Sequence, residues 1–222
     1  SHTFTDAGCY DTTMQLITDQ GTFSDNSYTV RITAQEVSTF TPPTTNNNGQ
    51  SGIMFDIVAL KDLRVTSFSL PVSGGGTSNI RCYVTTNSQG AESNAGVWAL
   101  FSNTSVTSST NTTVDIPDIT FSNGNQVGFY LLNTSGNSVR YQSATVDSSY
   151  DDTRIRILTN AGKAIGSTDF NGSTFEPRHF VGSVTYVHTL TCNLKSGGLA
   201  ILENEYNSSR GKDDGVYPTL ES

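Results

Sequence analysis

The sequence predicts an all-β chain, a β-sandwich of jelly-roll type. Three observations lead there. Short apolar or alternating runs follow one another along most of the 222 residues, and they carry the two-residue period of a half-buried strand. Clusters of Gly, Asn, Ser and Asp separate the runs, as turns do. Helical spacing of apolar residues is almost absent.

The elements follow in order. "IMFDIVAL" (53–60) is the first core strand, and "LRVTSFSL" (63–70) follows a tight connection. "SGGGTS" (73–78) is a turn signal, leading to "NIRCYVTT" (79–86). "GVWALF" (96–101) carries the only tryptophan, Trp98. "TTVDIPDITF" (112–121) contains a proline and so suits an edge or a bulge. "QVGFYLL" (126–132), "SVRYQSAT" (138–145), "TRIRILT" (153–159) and "FVGSVTYV" (180–187) complete the set. Strands at this regular spacing argue for two packed sheets.

Composition narrows the function classes. Hydrophobic residues make up 34% and charged residues 14% of the chain. The net charge is −8, and the 12 basic residues are scattered without a stripe. Binding to a phosphate backbone or an anionic bilayer needs clustered cations, so neither nucleic acid nor membrane is expected as a partner. No apolar run is long enough to span a bilayer. The chain opens with "SHTFTDAGC", which reads as a mature chain after removal of a signal segment, or as a trimmed one.

Of the three cysteines, Cys82 shares an alternating face with Ile80 and Val84 and is expected to be a small buried hydrophobe. Cys9 and Cys192 flank the strand-rich region and are expected to form a disulfide, within one chain or between two. Five N-x-S/T sequons, at Asn103, Asn111, Asn133, Asn171 and Asn207, are candidate glycosylation sites. Their number equals what the asparagine, serine and threonine content produces by chance, so only their placement in polar, turn-like stretches speaks for use.

Candidate chemistry is sparse. Glu176, Arg178 and His179 in "FEPRHF" offer an acid, a cation and a base. Adjacent strand residues point to opposite faces, so a strand-entry corner is the plainer reading. Asp147, Asp151 and Asp152 are a weak calcium candidate, since the loop lacks the D-x-D-x-D-G pattern. No other cofactor is expected. Trp98, Tyr141 and Tyr150 are candidate platforms for a sugar.

"NNGQSGIMFDIVALKDLRVTSFSL", "GAESNAGVWALF" and "GSTFEPRHFVGSVTY" together resemble a secreted β-sandwich domain that recurs in large extracellular proteins of bacteria and some protists. The similarity covers about residues 39–187. It implies a sandwich fold, a secreted setting and attachment to adhesive or surface proteins, and it brings no catalytic residues. Cys82 departs from it, standing where that pattern has an aliphatic or aromatic residue.

The expected organisation is an N-terminal arm (1–38), a polar linker (39–52), the sandwich (53–187) and a C-terminal extension (188–222) with a polar tail. In the arm, "SYTVRITAQEV" places Tyr28, Val30, Ile32 and Ala34 on one face. Such a strand either packs on its own domain or completes the sheet of a neighbour. The expected function is therefore a non-enzymatic, secreted structural protein that forms a filament or surface layer by strand addition between copies. A carbohydrate-binding or adhesive module is the alternative, and a viral capsid or tail component a more distant one.

Overall fold

The structure, a computed structural model, describes residues 17–18, 21–22 and 27–197, with side chains from residue 35 to residue 189. The chain divides into two compact units, Ser1–Gln35 with Leu190–Ser222, and Glu36–Thr189. The first unit holds a short antiparallel pair, β1 (Ile17–Thr18) and β2 (Gly21–Thr22). Strand β3 (Ser27–Phe40) begins in the first unit and ends in the second.

The second unit contains β4 (Asn48–Gln50), β5 (Gly52–Ala59), β6 (Leu63–Leu70), β7 (Thr77–Thr85), β8 (Ala99–Thr107), β9 (Thr112–Phe121) and β10 (Gln126–Asn133). It continues with β11 (Val139–Ser143), β12 (Ser149–Asp151), β13 (Ile155–Lys163), β14 (Thr174–Phe180) and β15 (Ser183–Gly197), the last of which runs on into the first unit. A large sheet has the order β4-β11-β14-β13-β5-β10-β7-β8, with β12 paired to β13. A small sheet has the order β3-β15-β6-β9. Successive strands cross from sheet to sheet: β5 to β6, β6 to β7, β8 to β9, and β9 to β10. The antiparallel pair β5–β10 in one sheet thus lies over β6–β9 in the other, a wrapped sandwich.

The two-residue period builds the core. Ile53, Phe55, Ile57 and Ala59 of β5 meet Phe129 and Leu131 of β10, and Val65 and Phe68 of β6, all fully or almost fully buried. At the centre, Phe68 of the small sheet packs among three phenylalanines of the large one. Its ring centroid lies 5.6 Å from Phe55, 5.0 Å from Phe129 and 6.5 Å from Phe180. Edge-to-face contacts of this kind add to the area that large rings bury. Cys82 takes its place in this core, fully buried and free, and burial pushes its thiol up to about 12.

The proline strand meets its expectation, and other elements differ. The proline strand β9 is an edge strand with a register shift, as Pro117 requires. "GVWALF" is not one strand: Ala95–Val97 form a 3-10 turn and β8 starts only at Ala99. "TFEPRHF" is a strand, β14, rather than a corner. Pro177 is tolerated there because it falls opposite the register shift between Asn160 and Gly162 of β13. Gly162 is also where the ring of Tyr141 crosses the backbone; a Cβ would lie 2.6 Å from it.

The expected linker 39–52 is not a free tether. β3 extends to Phe40 and Asn48–Gln50 form the sheet-edge strand β4. Between them, the Thr44 hydroxyl donates to the Phe180 carbonyl at 2.8 Å, and the Asn47 N–H to that of Tyr141 at 3.2 Å. Asn47 Oδ1 accepts from the Ser143 N–H at 2.8 Å. Part of the polar composition serves these bonds, while Thr45, Asn46, Asn47 and Asn48 remain exposed.

The opening strand pairs with its own chain. β3 lies beside β15 at the edge of the small sheet. Ser38 Oγ and His188 Nε2 share a hydrogen bond at 3.1 Å, and Thr39 and Thr185 hydroxyls another at 3.3 Å. None of residues 35–40 is fully buried, and Val37 is 67% exposed.

Two predictions follow from this packing. Phe68→Ala removes the ring that joins the sheets and should cost about 3–5 kcal/mol, read as a lower urea midpoint with an unchanged slope. His188 of β15 is buried, with Glu36 Oε2 of β3 at 3.6 Å, the Tyr186 ring beside it, and Arg154 and Asp152 nearby. Burial first, then Arg154, pull its pKa below 6.5. The unfolded chain therefore binds this proton more readily, so the stability held above 6.5 is lost as pH falls. Protection of the Glu36–Phe40 amides, taken relative to their intrinsic exchange rates, should fall as pH drops from 7.5 to 5, and His188→Gln should remove that loss of protection.

Candidate functional site

The outer face of the large sheet carries the unit's densest polar and aromatic constellation. β5 is buried on both faces: its inward residues enter the core, and Met54 and Asp56 face outward beneath two covering segments, 86–98 and 164–173. A carboxylate inside an apolar strand must be matched by donors. The Ser88 N–H donates to Asp56 Oδ1 at 2.8 Å and the Ser88 hydroxyl to Oδ2 at 2.6 Å. Asn160 Nδ2 then donates to Ser88 Oγ at 2.8 Å. Gly128 stands opposite Asp56 because the approach is close: a Cβ there would lie 2.7 Å from both Asp56 Oδ1 and the Ser88 nitrogen.

Lys163 at the end of β13 is fully buried. Its Nζ donates to Ser93 Oγ at 3.0 Å and to Thr174 Oγ1 at 2.8 Å. Burial lowers its pKa, while the carboxylates of Glu92 and Glu176 pull it back up. Glu176 is pushed up by burial and by its acidic neighbours Glu92 and Asp147. Next to this cluster, Trp98, Tyr130, Phe170 and Tyr83 pack together, with Trp98 6.0 Å and Phe170 5.3 Å from Tyr130. Trp98 Nε1 donates to the Ala91 carbonyl at 2.9 Å. Asp169 receives Arg81 Nη1 at 2.7 Å and the Tyr83 hydroxyl, and its own carbonyl accepts from Tyr130 at 2.9 Å.

Chemically the arrangement is a set of clamps. Asp56 holds the segment at Ser88, Lys163 holds Ser93 to Thr174, and Asp169 fastens the second segment to β7. Each polar group is committed to covering the sheet. Asp56 was missed by the sequence reading, although a lone carboxylate within "IMFDIVAL" was a signal that could have found it; Lys163 and Asp169 left no sequence signal.

The residues singled out by sequence are dispersed. His179 is buried and its ring bonds to the Tyr150 hydroxyl at 2.8 Å and the Val146 carbonyl at 3.1 Å, so it anchors the 146–150 segment. Arg178 lies over the Tyr141 and Phe175 rings rather than pairing with Glu176. Trp98 and Tyr141 are buried and Tyr150 is tied to His179, so no shared aromatic platform faces solvent. Asp151 pairs with Arg156 at 2.9 Å. Asp152 accepts from the Arg154 and Ile155 N–H groups and from the Tyr186 hydroxyl. Asp147 stands apart and exposed, so the calcium trio does not converge. No three His, Cys, Asp or Glu side chains group around a metal position among the described residues.

Asn103, Asn111 and Asn171 are exposed. Asn133 is not a glycan site in the folded chain: it is 1% exposed, its amide donates to Ser78 Oγ at 3.0 Å, and its carbonyl accepts from the Ser135 N–H. Asn207 and Cys9 lie outside the described residues, as does the side chain of Cys192, so the expected disulfide falls there too. Tyr28, Val30, Ile32 and Ala34 lie on β3, their side chains likewise outside the description.

One open apolar groove of about 380 Å³ lies at the β8–β9 side of the sandwich, lined by Val84, Val97, Phe101, Ile119 and Val127 with Thr85 and Thr86. No described helix is long and apolar enough to cross a membrane.

The clamp at Asp56 yields a prediction. Burial raises its pKa above 3.8 despite the two bonds from Ser88. The fold thus keeps this proton longer than the unfolded chain does, so the contribution is full below 3.8 and is lost as pH rises through the raised value. Asp56→Asn should flatten that part of the stability–pH curve. Asp56→Ala, which strands the Ser88 donors, should cost about 1–3 kcal/mol and speed proteolysis within 86–98. Comparison with models of known protein families and with curated protein sequences finds no match to this chain.

Proposed function

We propose that this chain is a non-enzymatic structural subunit of an extracellular filament or surface layer, in which β3 of one copy adds to the sheet of the next. The carrying observation is how lightly β3 is held. Within the second unit it occupies a sheet edge, contributes no fully buried side chain between residues 36 and 40, and adds to its pairing with β15 the side-chain contacts of Ser38, Thr39 and Glu36 and the packing of Phe40. Of residues 36–40 only Phe40 packs against the core cluster, so releasing this end of the strand leaves Phe55, Phe68, Phe129 and Phe180 in place. Its alternating Tyr28, Val30, Ile32 and Ala34 supply a face able to set register in a new sheet. The likeness to secreted surface domains supports the extracellular setting.

A second reading has its own observation. The chain enters the second unit at Glu36 and leaves it at Thr189, and these ends meet where Glu36 approaches His188. Adjacent entry and exit suit a module hung on a larger adhesive protein.

Electron microscopy of the full chain at high concentration separates the two. The assembly reading expects regular filaments from the native sequence and monomers from Val30→Asp/Ile32→Asp. Native chains that stay monomeric throughout would leave the discrete module as the reading.

A further inference from the structure

The sheet edges are unequally protected. β4 is only three residues long. β9 carries Pro117, the carboxylates of Asp115 and Asp118, and a register shift. β3 carries Arg31 and Glu36. Short edges, proline, charge and irregularity are the devices that stop a foreign strand from pairing. β8 shares only the last, a register shift opposite Cys82 and Tyr83: it runs nine residues as "ALFSNTSVT", without charge or proline, and is hydrogen-bonded to β7 alone within its sheet. Its outward positions Leu100, Asn103, Ser105 and Thr107 are exposed. The open apolar groove lies beside it, with Phe101 of β8 and Ile119 of β9 as its two walls.

We propose that β8 and this groove are the acceptor site for the N-terminal strand of a second copy, which deepens, and rests on, the assembly reading above. The strand added along β8 is Ser27–Gln35. Its apolar set, Tyr28, Val30, Ile32 and Ala34, recurs with the two-residue period that a groove beside a strand edge accepts. Charge is complementary. Arg31 is the single charged residue in this stretch and sits on the opposite face from the apolar set, while the lip across the groove is β9, where Asp115 is exposed and Asp118 pairs with Arg64 Nε at 3.2 Å.

Fold geometry sets the polarity. β8 and β9 close one side of the sandwich, where the Thr104 hydroxyl donates to the Asp115 carbonyl at 3.2 Å. The end of β3 and β4 share the other side, joined by residues 41–47. Within the second unit, the end of β3 and the acceptor β8 therefore lie on opposite sides. Contact between them is heterologous, and it propagates head to tail unless its rotation closes a ring.

Hydrogen–deuterium exchange on the full native chain tests this, comparing dilute with assembled protein. The expected result is that amides of Ala99–Thr107 exchange about tenfold or more slowly once assembled. Asn103→Lys/Ser105→Lys, which charges the edge, should abolish assembly while leaving dilute exchange in the other strands unchanged. Assemblies whose β8 amides exchange as in dilute protein, or that form despite the two lysines, overturn the acceptor site. If Val30→Asp/Ile32→Asp still blocks those assemblies, strand addition itself survives. A native chain that never assembles removes both.

Discussion

The two sheets meet around one ring, with Val65, Leu70, Val114, Phe121 and Val184 of the small sheet beside it. Phe68 is the small sheet's contribution to a cluster otherwise built by the large sheet, and it reaches Phe55, Phe129 and Phe180 at once. Two sheets that each expose an apolar face are stable only when those faces meet. Here the meeting point comes from a strand, β6, that lies between β15 and β9 and pairs with both. The wrapped connections, the edge position of β3 and the opposition of β8 to β4 all follow from how the chain passes from one side of that contact to the other.

The large sheet's outer face is finished differently. Instead of solvent, it meets two irregular segments, and irregular backbone over a sheet has to be fastened. Asp56, Lys163 and Asp169 do this with charge-bearing groups that form hydrogen bonds while largely shielded from water. Trp98 and Phe170 add aromatic contact. The result is a second, smaller core on the far side of the sheet, which accounts for β5 being apolar almost throughout rather than alternating.

The strands were largely legible because each run has the period of its buried face. β5, β6, β9 and β10 lie almost where alternation and turn residues put them. β14 was hidden because proline signals a break, and only tertiary pairing reveals that Pro177 falls at an irregularity of its neighbour. Trp98 was read as part of a strand because it alternates with Leu100; the alternation is fortuitous, since Leu100 faces solvent and Trp98 precedes β8. The candidate site was less legible still. Asp56 is marked by its place in an apolar run and was still passed over, while Lys163 owes its burial to segments distant in sequence, and nothing local marks it. The partner of β3 was undetermined because an apolar strand face reads the same whether its own chain or a neighbour covers it.

The burial of Asn133 makes the expression host a structural variable. Enzymes that attach N-linked glycans work on chains that have not finished folding, when every sequon is still open. A sugar placed at Asn133 at that moment would keep its amide from reaching Ser78, and the end of β10 would not close. A chain made where such enzymes operate would then divide into two populations, one able to fold and one barred from it. A chain made without them would meet no such fork.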